Sequence, residues 1–127
     1  MISTVYNKLL HIAQQQFPEI VIGSKIFFSA AGRARKLRIY LFDDSYVDIW
    51  ISVDGKRYSY QWIIPDRPEF IYRHDNAPHA RWESVSSFPK HCHFRSHENV
   101  VESNMPDTPS EAIVCLLDRV TDLLRQK

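Results

Sequence analysis

At 127 residues the chain is long enough to bury one core, and a single domain over residues 1–127 is expected. A composition of 44% hydrophobic, 13% aromatic and 24% charged residues excludes a disordered or fibrous protein. A formal net charge of +1 excludes wholesale attraction to polyanions, so any nucleic-acid affinity has to come from a local patch. No apolar run approaches the roughly 18 residues of a membrane span, and the first residues lack the basic-then-apolar layout of a signal peptide. A cytoplasmic protein without membrane association is expected. Cys92 and Cys115 are the only cysteines, which argues against a disulfide framework. Both read as reduced thiols, Cys115 as a core residue of a helix and Cys92 as a buried residue of an extended segment.

In chain order, Met1 to Phe17 has helical spacing, with Val5, Leu9, Ile12, Ala13 and Gln16 on one face and Ser3 or Thr4 available as cap. Pro18 stops it. Glu19 to Ala30 is rich in β-branched and aromatic residues and predicts a strand, followed by a basic turn from Ala31 to Lys36. Asp54-Gly55 is a hairpin signal that sets Val53 opposite Lys56, Ile51 opposite Tyr58, Ile49 opposite Tyr60 and Val47 opposite Trp62. A three-residue loop at Asp43 to Ser45 would put Phe42 opposite Tyr46, and Leu41, Ile39 and Leu37 opposite Val47, Ile49 and Ile51. Both turns give the same apolar face. The other face carries Arg38, Tyr40, Asp48, Trp50, Arg57, Ser59 and Gln61, too polar for a second core. A fifth strand, Glu69 to Arg73, follows the turn Pro65 to Pro68. Thr108-Pro-Ser-Glu111 has the layout of a capping box opening a helix to Leu124, whose buried stripe is Ile113, Leu116, Leu117, Val120 and Leu124.

Between the fifth strand and that helix lies a long stretch with little periodicity, and Arg73 to His97 holds five of the six histidines. Long irregular stretches in small domains are functional or disordered, and the aromatics and prolines here favour order. His91-Cys92-His93, if extended, projects both imidazoles to one side, roughly 7 Å apart. With His79 or Asp75 they would suit a transition metal with one open position, the all-imidazole set being His79, His91 and His93. Without a metal, the same histidines suit RNA cleavage: one imidazole takes the 2′-hydroxyl proton, another protonates the leaving oxygen, and Arg73, Lys90 and Arg95 neutralise phosphate. Trp50, Tyr40 and Trp82 are free to stack on bases, whereas Tyr58, Tyr60 and Trp62 belong to the core. The structural readings stand beside these: an Asx turn at Asp75-Asn76, a backbone bond for His79, an anchor at Phe88-Pro89, helix surface for His11, and a solvated hairpin for Arg33, Arg35, Lys36 and Arg38.

The order Tyr58-Ser-Tyr60-Gln-Trp62, then Arg73-His-Asp75-Asn76-Ala-Pro-His79, then Phe88-Pro89-Lys90-His91-Cys92-His93 before a terminal helix resembles the TumE-like toxins of prokaryotic toxin-antitoxin systems, over Leu37 to Leu124. Lys90 and Cys92 depart from the fuller histidine and lysine run of that family. The resemblance implies a small cytoplasmic toxin with a cognate antitoxin protein as partner, and Arg73, Asp75, Asn76, His79, His91 and His93 as its functional positions.

Together these readings predict an α+β domain with an antiparallel meander sheet of about five strands and both terminal helices on one face. The leading function is a type II toxin acting on RNA as a metal-independent nuclease. His79, His91, His93 and Asp75 are its catalytic group, and Arg73, Asn76, Lys90, Arg95 and Trp50 its substrate contacts. No cofactor is called for on that reading. The alternatives are a non-catalytic module binding a nucleotide, nucleic acid or protein, and a metal-dependent hydrolase using His79, His91 and His93. The strand after Pro18 offers an edge on which a second copy could pair into a homodimer.

Overall fold

The computed structural model describes residues 2–126, so Met1, the first residue of the expected N-terminal helix, lies outside the described residues. The elements are α1 (Ile2–Gln16), β1 (Val21–Phe28), β2 (Ala34–Leu41), β3 (Tyr46–Ile51), β4 (Tyr58–Ile63), β5 (Ile71–Asp75), a 3-10 turn (Ala80–Trp82), β6 (His91–Arg95), β7 (Val100–Glu102) and α2 (Pro109–Arg125). The strands form one antiparallel meander in chain order. The α+β class is as expected, but the sheet has seven strands rather than about five. β6 and β7 come from the stretch of weak periodicity. β6 reads HCHFR and is buried on both faces at His91, Cys92 and His93. The polar-apolar alternation that marks a half-buried strand is therefore missing.

α1 ends before Pro18, as the ring requires. Neither Ser3 nor Thr4 caps it, because Ile2 is already helical. Its buried stripe is Tyr6, Leu9 and Ala13, while Val5 and Ile12 are half-buried and Gln16 is exposed. The helix is turned to seat Tyr6, whose hydroxyl accepts from Ile51 N at 3.0 Å and lies 3.2 Å from Arg35 O. Satisfying a buried strand N–H in this way outweighs the placement of one more aliphatic residue.

The β3–β4 register matches the hairpin reading, with Ile51 opposite Tyr58 and Val47 opposite Trp62. The turn itself is wider than two residues: Ser52 N bonds Arg57 O, Gly55 N bonds Ser52 O, and only Gly55 takes a positive φ of 76°. Between β2 and β3 the register differs from the expected one by two, with Ile39 opposite Val47 and Leu37 opposite Ile49. The turn lies one residue earlier than expected, with Leu41 N bonded to Ser45 O around Phe42 to Asp44 and Asp44 at φ 70°. An even shift leaves every side chain on its face, so the apolar surface survives. Leu37, Ile39, Leu41, Val47, Ile49, Ile51, Tyr58, Tyr60 and Trp62 are all buried with α1 and α2.

β5 begins two residues later than expected, since the turn closed by Phe70 N to Arg67 O consumes Glu69. Asp75 becomes a strand residue. α2 starts at Thr108-Pro109 as expected, but the Thr108 hydroxyl makes no capping bond, so the capping box is not formed. Its buried residues are Ala112, Ile113, Leu116, Leu117 and Val120. Cys115, expected in the core, falls outside that stripe and is exposed. Cys92 is buried, and burial pushes its thiol up to about 11. A thiol reagent at neutral pH should therefore label one cysteine in the folded protein and both in denaturant; two labelled thiols without denaturant would contradict the buried position of Cys92.

Candidate functional site

The sheet face turned away from the helices is laid out in straight register rows. Pairing runs Arg38–Asp48–Gln61–Arg73–His93 across β2 to β6, and beside it Trp50–Ser59–Asp75–His91 across β3 to β6. Residues far apart in sequence thus meet because alternation holds them on one face and antiparallel pairing aligns them. Over the β5–β6 end the segment 77–90 folds back. It is tied down by Arg81 to Glu98 at 2.6 Å, Ser86 to Glu102 at 2.7 Å and Ser103 N to Ser87 Oγ at 2.8 Å. Trp82 then roofs the two histidines, with ring centroids 6.3 Å from His91 and 5.7 Å from His93. The result is a cleft of about 510 Å³ lined by Trp50, Ser59, Gln61, Arg73, Asp75 and His79 among others.

At its floor lie Asp75, His91 and His93, all buried. Asp75 Oδ1 is 3.1 Å from His91 Nε2, and Asp75 Oδ2 is 3.9 Å from His93 Nε2. Arg73 Nε donates to Asp75 Oδ2 at 3.1 Å, and Ala77 N donates to Oδ1 at 3.0 Å, closing the expected Asx turn. His91 Nδ1 is 2.8 Å from Pro89 O, and His93 Nδ1 is 3.0 Å from His97 O. A carbonyl only accepts, so each Nδ1 carries a proton and each ring turns its Nε2 toward the carboxylate. Burial lowers the His93 pKa, which the His97 carbonyl opposes.

The expected site residues divide accordingly. Arg73, Asp75, His79, His91, His93 and Trp50 line the cleft, but His79 is exposed at the rim and stands outside the Asp75–His91–His93 cluster. Of the two third ligands considered for His91 and His93, Asp75 is brought to them and His79 is not, so the all-histidine set of His79, His91 and His93 does not assemble. Lys90 is not a cleft residue: its ammonium bonds Met105 O and Asp107 Oδ1, pinning the chain ahead of α2. Asn76 clamps the β3–β4 turn, accepting from Tyr58 N at 3.0 Å and donating to Lys56 O at 2.8 Å. Arg95 lies over the Phe94 ring, away from the cleft. Sequence reasoning gave no role to His74, which sits on the helix-facing side between Ser103 Oγ at 2.7 Å and the Tyr72 hydroxyl at 3.1 Å. Burial lowers its pKa to about 4, so it is a neutral structural imidazole.

A seven-stranded meander with two helices on one face and a histidine–carboxylate cleft on the other defines a small α+β protein with a built polar site. The chain belongs to the TumE toxin family, whose model, described as Toxin TumE, matches residues 9–124. No curated protein and no solved structure matches the chain. Among the described residues no helix is long and apolar enough to cross a membrane.

Proposed function

We propose that this toxin acts on RNA, holding a single strand on the open sheet face and attacking its phosphodiester backbone in the cleft. The observation that carries the reading is the make-up of that face. From β1 to β3 it alternates cations with rings: Lys25 lies 4.9 Å from the Phe27 ring, Lys36 5.0 Å from the same ring, and Arg38 4.0 Å from the Tyr46 ring. Trp50, 44% exposed, joins this platform to the cleft. Rings that stack on bases, interleaved with cations that track phosphates, are what sequence-tolerant single-strand binding requires. The basic run Lys36 and Arg38 is better accounted for here than as a solvated hairpin, although Asp48 neutralises part of it through Arg38 Nε at 2.7 Å and Lys36 Nζ at 3.2 Å.

Within the cleft, Arg73 lies beside Asp75 and faces the position a phosphate would take, supplying charge where the transition state develops it. His79 at the exposed rim exchanges protons with solvent and with a leaving oxygen. In a type II arrangement a cognate antitoxin protein silences the activity by binding.

Two measurements test this. Sequencing of RNA ends after induction should show new termini at preferred positions, and an unchanged end profile removes the cleavage claim. Phe27→Ala and Trp50→Ala should each weaken binding of a single-stranded RNA oligonucleotide by roughly tenfold or more, since base stacking is worth about 1–3 kcal/mol per ring. Equal affinity in both variants would exclude the platform.

A further inference from the structure

We propose that Asp75, His91 and His93 are the ligands of one divalent transition-metal ion of the zinc class. The inference begins with a polarity that the protein alone leaves unbalanced. Because Pro89 O and His97 O hold the Nδ1 protons, the lone pair of each ring in its neutral form falls on Nε2, and three ligand atoms converge within 4.8 Å of one another: two imidazole Nε2 atoms and a carboxylate oxygen. His91 is 0% exposed, and its Nε2 has no hydrogen-bond partner although Asp75 Oδ1 is only 3.1 Å away. The distance suits a hydrogen bond and the direction does not, so a proton on Nε2 would not bridge the pair. A cation set among all three atoms would satisfy each of them. Leaving a buried acceptor unpaired beside a carboxylate costs on the order of a lost hydrogen bond or more, so the arrangement favours such an occupant.

The surroundings match what metal-bound histidines need. A ligating imidazole donates its other ring N–H to a carbonyl or carboxylate, which fixes tautomer and orientation. Both rings here do so through backbone carbonyls of their own β6 hairpin and its approach. Ligands at about 2 Å from a tetrahedral ion sit roughly 3.3 Å apart. Asp75 lies 3.1 Å from His91 Nε2 through Oδ1 and 3.9 Å from His93 Nε2 through Oδ2. One donor atom from each residue falls within 4.8 Å of the others, a set that small side-chain rotations close on an ion. Two nitrogens and one oxygen select a transition ion over calcium or magnesium, which take all-oxygen sets. Oδ1 and Oδ2 of Asp75 each accept one hydrogen bond, from Ala77 N and Arg73 Nε, and each keeps a lone pair for the ion. Three protein ligands facing a cleft leave a further position for water or a phosphate oxygen.

Binding of the ion stands on this geometry alone. What it would do, polarising a phosphoryl oxygen next to Arg73, rests on the RNA reading given above. The test uses the full chain stripped with chelator and titrated with zinc chloride, and separately with cobalt chloride. One equivalent of zinc should remain after gel filtration, and the melting temperature should rise by about 5 °C or more when zinc exceeds its dissociation constant a hundredfold. Cobalt should give the visible ligand-field absorption of a low-coordinate site. His93→Gln and Asp75→Asn, melting near the metal-free parent, should retain no zinc, whereas Cys115→Ser should retain one equivalent. Less than one equivalent in the parent at tenfold excess, undiminished binding in both site variants, or loss of binding in Cys115→Ser would each overturn the assignment. The parent's stoichiometry and cobalt spectrum decide the matter even if a variant fails to fold. Zinc binding without new RNA ends would remove the RNA reading and leave the site; new ends without zinc binding would do the reverse.

Discussion

Asp75→Asn should raise the number of colonies surviving induction by about a hundredfold or more while moving the melting temperature of the chelator-stripped protein by less than about 5 °C. The size follows from what the change removes. One negative charge disappears from the floor of the cleft, and an NH2 group takes the place of one acceptor among the two Nε2 atoms and Arg73. Loss of a general base or of a metal ligand costs on the order of 10²-fold or more in rate, and a toxin's effect on growth follows that rate. The small stability effect also has a reason. The side chain keeps its shape, and the retained carbonyl oxygen still accepts from Ala77 N, so the turn after β5 is preserved. The lost ion pair with Arg73 is partly exposed to solvent and is worth about 1 kcal/mol or less. Growth curves and plate counts after induction, with thermal melts of the purified protein, check both halves. A variant that is folded and still fully toxic would take the cleft out of the mechanism. One that loses toxicity together with a large fraction of its stability would make Asp75 a structural residue.

The largest effect on stability should come from Trp62→Ala, at about 3–5 kcal/mol. Trp62 is 1% exposed on the helix-facing side of the sheet. Its ring meets Phe70 edge-on at 5.8 Å and its indole N–H donates to Ser45 Oγ at 2.9 Å. Truncation removes the largest buried side chain and leaves a cavity between β4 and α2 that the fold closes only in part. In a domain of this size the loss corresponds to a melting temperature roughly 10–20 °C lower. Trp50→Ala makes the control, because that ring lies on the opposite face at 44% exposure and should shift stability by no more than about 0.5 kcal/mol. Denaturant unfolding of the two variants measures the contrast directly. Equal losses would mean that the two faces of the sheet are not distinguished as described.

Those two tryptophans mark how far local pattern reaches. Residues of one parity through β2 to β4 are core and those of the other parity are not, and this was legible because alternation is a property of each strand alone. The face assignment even survived a misplaced turn between β2 and β3, since the register moved by two residues and parity is blind to that. Pro18 and Pro109 fixed where α1 stops and α2 begins, because proline acts on its own backbone. The order of short motifs from Tyr58 to His93 carried the resemblance that the family match over residues 9–124 bears out.

What the sequence determined by itself, then, is the class of fold, the core of the central strands, the family, and the region that holds the site. The tertiary structure decided the rest. Asp75 meets His91 because β5 pairs with β6 in that register, across a long connection whose closure no local period encodes. Lys90, next to His91 in the chain, is drawn off to Met105 and Asp107, while Arg73, seventeen positions earlier, is brought alongside. Tyr6 replaces Val5 and Ile12 on the buried stripe of α1 because a strand N–H needs its hydroxyl. Most of all, the tautomers of His91 and His93 are set by two backbone carbonyls, and an imidazole's chemistry depends on which nitrogen is free. Composition names the side chains that could react; only the pairing of strands and the partners of their ring nitrogens select the atoms that face one another.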